Sequence, residues 1–315
     1  MTFTQVEEAR RVLRAHLAPT RLVSAGALAR RVGAPVALKL ETDLPTGSFK
    51  PRGALYALWA RQQRGPVAEV VAASTGNHGA AVAYAAQRLG VRATIFLPRN
   101  PNPVKRARIA ALGARVVEHG ADLAEAAQAA RAHAAASGAY VLDDATDPDL
   151  PAGTATIACE IVEQAPDAAV LYVPMGDTAL IRGVAQAAKH LRPAMCVIGV
   201  QAAGAPAYAL SWRAGRPVPT ATCATIADGL ATRTPVAANV QAIRELVDDV
   251  RVVSDEAMLE AIRVLLLEEH VVAEPAGAAA TAALLADGTP PAAPVVLLVT
   301  GANIAPDVLR RGVAP

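Results

Sequence analysis

From about residue 36 onward, short runs of β-branched and other apolar residues alternate with longer Ala-rich stretches whose apolar positions recur at helical spacing. The strand-type runs fall at 36–40, 69–73, 92–97, 114–117, 169–173, 197–200, 250–253 and 295–299. Helical stretches lie between and after them, at 51–63, 78–89, 103–112, 123–136, 156–164, 180–190, 255–269 and 276–285. Strand followed by helix throughout predicts an α/β fold with largely parallel sheets and helices on both faces, a three-layer αβα arrangement. The run 295–299, Val-Val-Leu-Leu-Val, is apolar at every position, as a parallel strand covered on both sides requires. Ahead of this pattern, Thr4 and Glu7 stand at capping-box spacing and predict a helix reaching about Leu17, ended by Pro19.

Two stretches interrupt the alternation: Pro-Thr-Gly at 45–47, and an acidic, Pro-containing segment at 143–152. They bracket about a hundred residues, a plausible size for an inserted domain. The expected organisation is a larger domain built from 1–46 and 147–315 with a smaller α/β domain at 47–146. A ligand would then sit in the cleft between the two, at the carboxyl ends of strands.

Composition narrows the class. Hydrophobic residues make up 53% of the 315 and aromatics only 3%, so the apolar content is mostly Ala, Val and Leu, suited to tightly packed helices on a sheet. The net charge of +2 comes from scattered Lys and Arg, with no basic run, which argues against nucleic acid as a partner. Cys159, Cys196 and Cys223 stand apart without CxxC or metal spacing, and read as free thiols in a reducing compartment. The N-terminal residues lack an apolar signal core and no apolar run is long enough to span a membrane, so a cytoplasmic protein without membrane contact is expected.

Four segments carry candidate chemistry. At 46–54, Thr-Gly-Ser-Phe-Lys-Pro-Arg-Gly-Ala places Lys50 at a helix start, because Pro51 suits a first helical turn. A helix N-terminus with partial burial disfavours a cation, which suits an imine-forming amine. Ser74-Thr75-Gly76-Asn77-His78-Gly79 follows a strand and opens a helix, the geometry in which free N–H groups bind a carboxylate or phosphate. The same geometry recurs at 173–180, Val-Pro-Met-Gly-Asp-Thr-Ala-Leu. Thr300-Gly301-Ala302-Asn303 follows the last strand and offers a neutral hydroxyl. Each segment taken singly also fits an ordinary turn, and a lone lysine at a helix start is usually solvated.

In this order, and together with Lys39-Leu40-Glu41, Ala227-Asp228-Gly229-Leu230-Ala231 and Glu274-Pro275-Ala276-Gly277, the segments resemble the tryptophan-synthase-β-like (fold type II) pyridoxal phosphate enzymes. The Gly-Ser-Phe-Lys and Gly-Asn-His-Gly blocks are similar to the serine/threonine dehydratase and serine racemase branch. The resemblance implies that Lys50 holds pyridoxal 5'-phosphate as a Schiff base and later acts as the base at the substrate α-carbon. It implies that Phe49 packs on the pyridine ring and that Asn77 bonds the 3'-oxygen. Ser74, Thr75, Gly76, Asn77 and His78 would receive the substrate carboxylate. Gly176, Asp177, Thr178, Ala179 and Leu180 would hold the phosphate, Thr300 the pyridine nitrogen, and Gly229 and Glu274 the cofactor's other side. The expected activity is α,β-elimination from a β-hydroxy-α-amino acid such as L-threonine or L-serine, by a homodimer. The alternatives are a racemase or β-replacement enzyme of the same fold, or a non-catalytic binding protein on it. No GxGxxG follows any strand, against a nicotinamide dehydrogenase, and no Walker loop, HExxH or GxSxG is present.

The sequence departs from that family at three places. Asp177, Thr178 and Ala179 stand where a run of glycines is usual, and Asp177 is expected to turn away from the phosphate, toward Arg182. Gln201 and Ala207 stand where related racemases place carboxylates on a divalent cation, so no metal is expected. Pro-Ala-Gly-Thr-Ala-Thr at 151–156 replaces the usual Ala-Gly-Gln-Gly-Thr, in a segment that faces substrate in relatives.

Overall fold

A computed structural model describes residues 1–74, 76–101, 103–287 and 293–314. Its strands, in chain order, are β1 (Leu22–Ser24), β2 (Val36–Leu40), β3 (Glu69–Ala73), β4 (Arg92–Leu97), β5 (Arg115–Glu118), β6 (Tyr140–Val141), β7 (Val170–Pro174), β8 (Cys196–Ala202), β9 (Asp249–Val253) and β10 (Val295–Val299). The chain separates into two compact units, one of Met1–Leu17 with Lys50–Gly153 and one of Ala18–Phe49 with Thr154–Pro315. The pattern along the sequence sets the breaks at 46/47 and 146/147 and leaves the first residues with the larger domain. In the structure the first seventeen residues group with the smaller unit.

The larger unit is built on a six-stranded sheet in the order β1-β2-β10-β7-β8-β9. All its pairings are parallel except β1 on β2. β10, in the interior of the sheet, is buried at every residue, which is why its sequence carries no alternation. The helix Pro275–Ala286 packs on β7, β8, β9 and β10 and buries ten of its residues. Its run of Ala and Leu without a polar face is what a helix enclosed on all sides needs. Five parallel strands deliver their carboxyl ends to one edge of this sheet, so the turns after β7, β8, β9 and β10 open on the same side.

The smaller unit carries a four-stranded, wholly parallel sheet in the order β5-β4-β3-β6. Helices Lys50–Gln63 and Asn77–Leu89 pack on each other, and Asn77–Leu89 and Leu123–Ser137 cover β3 and β4. The small side chains of Asn77–Leu89 bring it close: a Cβ on Gly79 would stand 3.1 Å from Ile95 Cγ2.

Several boundaries differ from expectation. The first helix is Phe3–Leu13, and its capping box is made by Thr2 and Gln5, not Thr4 and Glu7. Gln5 N–H donates to Thr2 Oγ1 while Thr2 N–H donates to Gln5 Oε1, a reciprocal pair that needs only an amide at the third position. The helix Leu150–Gln164 starts six residues before 156. Pro151 sits in its first turn, where it costs no hydrogen bond, and Asp147 Oδ1 accepts from Asp149 and Leu150 N–H just ahead of it. Helices Gly26–Val32, Ala207–Ala214, Ala237–Leu246 and Pro306–Val313 and strands β1 and β6 are additional.

The charges of Lys39 and Glu41 serve packing in the larger unit. Lys39 is fully buried and its Nζ donates to Thr20 O at 2.8 Å, Glu160 Oε2 at 2.6 Å and Gln164 Oε1 at 2.8 Å. Glu41 Oε1 accepts from Thr20 Oγ1 at 2.7 Å. Buried charge survives only where it is paired and hydrogen-bonded in this way. Among the described residues no helix is long and apolar enough to cross a membrane.

Candidate active site

The candidate residues fall into two groups, one in each unit. In the smaller unit, Lys50 is the first residue of its helix, with Pro51 behind it. Its side chain is only 16% exposed, and its Nζ forms an ion pair with Asp144 Oδ2. Asp144 Oδ1 stands 3.5 Å from His78 Nδ1. His78 Nε2 lies 2.9 Å from Leu142 O; a carbonyl can only accept, so the imidazole carries a hydrogen on Nε2 and turns Nδ1 to the carboxylate. Asp143 closes the turn that presents its neighbour, its Oδ1 accepting from the N–H groups of Ala145 and Thr146, each at 3.0 Å.

The segment after β3 ends at Gly76, the N-cap of Asn77–Leu89, where no side chain caps the helix. Ser74 Oγ accepts from Gly76 N–H at 3.2 Å and folds the turn tightly. The N–H groups of a helix's first turn point outward and favour an anion there. Lys50, Ser74, Gly76, Asn77 and His78 thus belong to one unit; Thr75 lies outside the described residues.

In the larger unit, the turn after β7 approaches the short helical turn Asp228–Leu230 so closely that a Cβ on Gly176 would stand 2.3 Å from Gly229 O. Thr178 is the N-cap of helix Ala179–Leu191 and adopts a left-handed backbone, φ 72°, without capping the helix through its hydroxyl. For a β-branched residue that conformation costs about 1–2 kcal/mol, which a glycine avoids. Asp177 Oδ1 accepts from Thr232 Oγ1 at 2.8 Å. The expected partner, Arg182, instead donates from Nε to Thr178 Oγ1 at 3.1 Å, one helical turn back. Ala179 and Leu180 are buried at the head of the helix.

The segment 46–49 is tied to the exit of β10. Phe49 N–H donates to Thr300 O at 3.0 Å, Ala302 N–H to Gly47 O at 2.9 Å, and Ser48 bridges Gly301. Asn303 Nδ2 donates to Thr46 O at 2.9 Å. Glu274, buried at the head of Pro275–Ala286, donates its N–H to Gly301 O at 2.9 Å. Phe49, Gly176, Asp177, Thr178, Gly229, Glu274 and Thr300 are therefore all on turns of the larger unit, and Thr300 is buried beside the strap.

Taken unit by unit, the residues fit parts of a phosphorylated aldehyde cofactor: in the smaller unit a shielded amine that could bond the aldehyde, and in the larger a glycine at a helix-opening turn where backbone comes close. Gln201 is buried and its Oε1 accepts from Ala209 N–H at 2.7 Å, so this side chain caps the helix Ala207–Ala214. Sequence reasoning misses Asp144 and Thr232. An Asp pair in a segment that reads as a linker is the only signal for the first.

Residues 13–301 match the family described as pyridoxal-phosphate dependent enzyme. An L-threonine ammonia-lyase of Geobacter sulfurreducens is 35% identical over 266 residues, 84% of this chain and 66% of that protein, so the chain spans under two thirds of this relative's length. Among solved structures, the T.th. threonine deaminase superposes with a TM-score of 0.91 at 34% identity, covering 97% of this chain and 99% of that one. Maize serine racemase gives 0.92 at 29% identity, with 97% and 94% covered.

Proposed function

The chain belongs to the pyridoxal-phosphate dependent enzymes, and we propose that within them it is an ammonia-lyase, removing water from a β-hydroxy-α-amino acid such as L-threonine or L-serine to give a 2-oxo acid and ammonia. Lys50 carries this assignment: a shielded amine at a helix start, in the same unit as the Ser74–His78 turn. The amine would hold the cofactor and, when free and neutral, would take the α-proton of the substrate. The turn at 74–78 receives the substrate carboxylate, Thr75 included. Phe49 would pack on the cofactor ring, Asn77 would bond its 3'-oxygen, and Gly176 to Leu180 would hold its phosphate. Gly229 and Glu274 would line its other side, and Thr300 would offer the ring nitrogen a neutral hydroxyl. When bound, pyridoxal phosphate supplies the electron sink that makes the α-proton removable.

The relatives support a lyase, since the ammonia-lyase and threonine deaminase are more similar in sequence than the racemase. Purified protein given a panel of β-hydroxy amino acids is expected to release 2-oxo acid. Inverted amino acid with no oxo acid would point to the racemase instead. The proposed setting is a cytoplasmic homodimer without metal: the cysteines form no disulfide, and the dimer is taken from family analogy.

The altered phosphate turn makes a further test. With its carboxylate on Thr232, Asp177 offers the ligand its backbone, while Thr178 brings a hydroxyl and Arg182. Thr178→Ala keeps the left-handed strain and loses the hydroxyl, so its affinity for pyridoxal phosphate should fall about tenfold. Asp177→Gly should bind as tightly as the unaltered chain or more so, because a carboxylate near a dianion is removed. Titration of cofactor-free protein reads both.

A further inference from the structure

We propose that Asp144 is a positioning residue for Lys50, a built-in counter-ion that restrains the amine before the cofactor is loaded and stabilises it as an ammonium during turnover. The inference rests on Lys50 being the cofactor lysine.

The contacts around Asp144 are specific. Its Oδ2 is paired with Lys50 Nζ within the smaller unit, and its Oδ1 stands 3.5 Å from His78 Nδ1. Its side chain is 22% exposed and that of Lys50 16%, so the pair is partly withdrawn from water and worth more than a surface ion pair. The adjacent Asp143 is spent on the turn itself, accepting from Ala145 and Thr146, which leaves the second aspartate aimed at the amine. The segment that carries both follows β6, whose partner β3 leads into the Ser74–His78 turn. The sheet pairing therefore holds Asp144 and His78 in register.

A carboxylate on an amine acts in opposite directions on two steps. An ammonium is not a nucleophile, so loading must first move a proton from Nζ to Asp144 or to solvent. The Nζ–C bond to the cofactor's aldehyde carbon then forms and water leaves. In turnover the displaced, neutral amine takes the α-proton and becomes an ammonium, and the nearby carboxylate favours that change. Asp144 therefore slows loading and speeds proton removal.

Asp144→Asn keeps shape and removes charge. In cofactor-free protein mixed with pyridoxal phosphate, the visible band and the borohydride-stable attachment to Lys50 should appear about tenfold faster than in the unaltered chain. The kcat of the loaded variant should fall about tenfold with KM unchanged. Asp144→Glu, which keeps the charge and moves it by one methylene, should lie between the two in both measurements. A merely structural role would slow both steps in the Asn variant, and that result, or no change in either, overturns the proposal. If the unaltered chain gains no band and borohydride fixes nothing at Lys50, the assignment of Lys50 itself falls and takes this role with it.

Discussion

Lys50→Ala is expected to remain colourless when pyridoxal phosphate is added and to turn over β-hydroxy amino acids at least ~10³-fold more slowly than the unaltered chain. The amine has two roles in the proposed chemistry, bonding the cofactor and taking the α-proton, and Lys50 belongs to the same unit as the Ser74–His78 turn. Fold should survive the change, since Lys50 opens its helix and contributes little to the core behind it, where Leu55, Tyr56 and Leu58 are buried. Borohydride reduction of the loaded, unaltered chain followed by peptide mapping should place the cofactor on Lys50. Attachment elsewhere, or a yellow Ala variant with normal turnover, would refute the assignment.

Gly176→Ala is expected to weaken cofactor binding by roughly 10–100-fold, the equivalent of about 1–3 kcal/mol of overpacking. Its Cβ would stand 2.3 Å from Gly229 O, a backbone atom, so relief must come from moving one turn or the other. Both belong to the group assigned to the cofactor. Gly229→Ala makes a graded control: its Cβ would meet Ala276 Cβ at 3.1 Å, a tight contact that a few tenths of an ångström relieve. Isothermal titration with pyridoxal phosphate should rank the unaltered chain first, Gly229→Ala second and Gly176→Ala last. Equal affinity for Gly176→Ala and the unaltered chain would mean that the turn after β7 does not hold the phosphate.

The sheets are largely legible in the sequence because parallel strands buried on both faces declare themselves as unbroken apolar runs. β2, β3, β4 and β10 occupy the residues that the pattern marks. β1 and β6 are not legible, since three and two residues are too short to show any period. The capping box lies at Thr2 instead of Thr4 because several Thr, Gln and Glu residues cluster there and spacing cannot rank them. Lys50, Gly76 and Gly176 can be found because their sequence neighbours form their local geometry. Asp144 cannot, because its meaning depends on β6 pairing beside β3, a contact between segments far apart in the chain. Arg182 donates to Thr178 and not to Asp177, the partner expected from sequence; i to i+4 spacing on the helix favours Thr178.

The strap that precedes Lys50 has a consequence for how the enzyme comes into being. Thr46 and Asn303, joined by a hydrogen bond, are 257 positions apart in sequence, and Phe49 is held by Thr300. Contacts that close so long a loop form late, after the intervening chain has ordered. A ribosome releases residue 50 long before residue 300, so the segment leading into Lys50 has no anchor while most of the chain is still being made. Competence to hold the cofactor should thus arrive only with the last strand, and a nascent chain halted before β10 would carry the complete Gly-Ser-Phe-Lys block yet remain uncoloured.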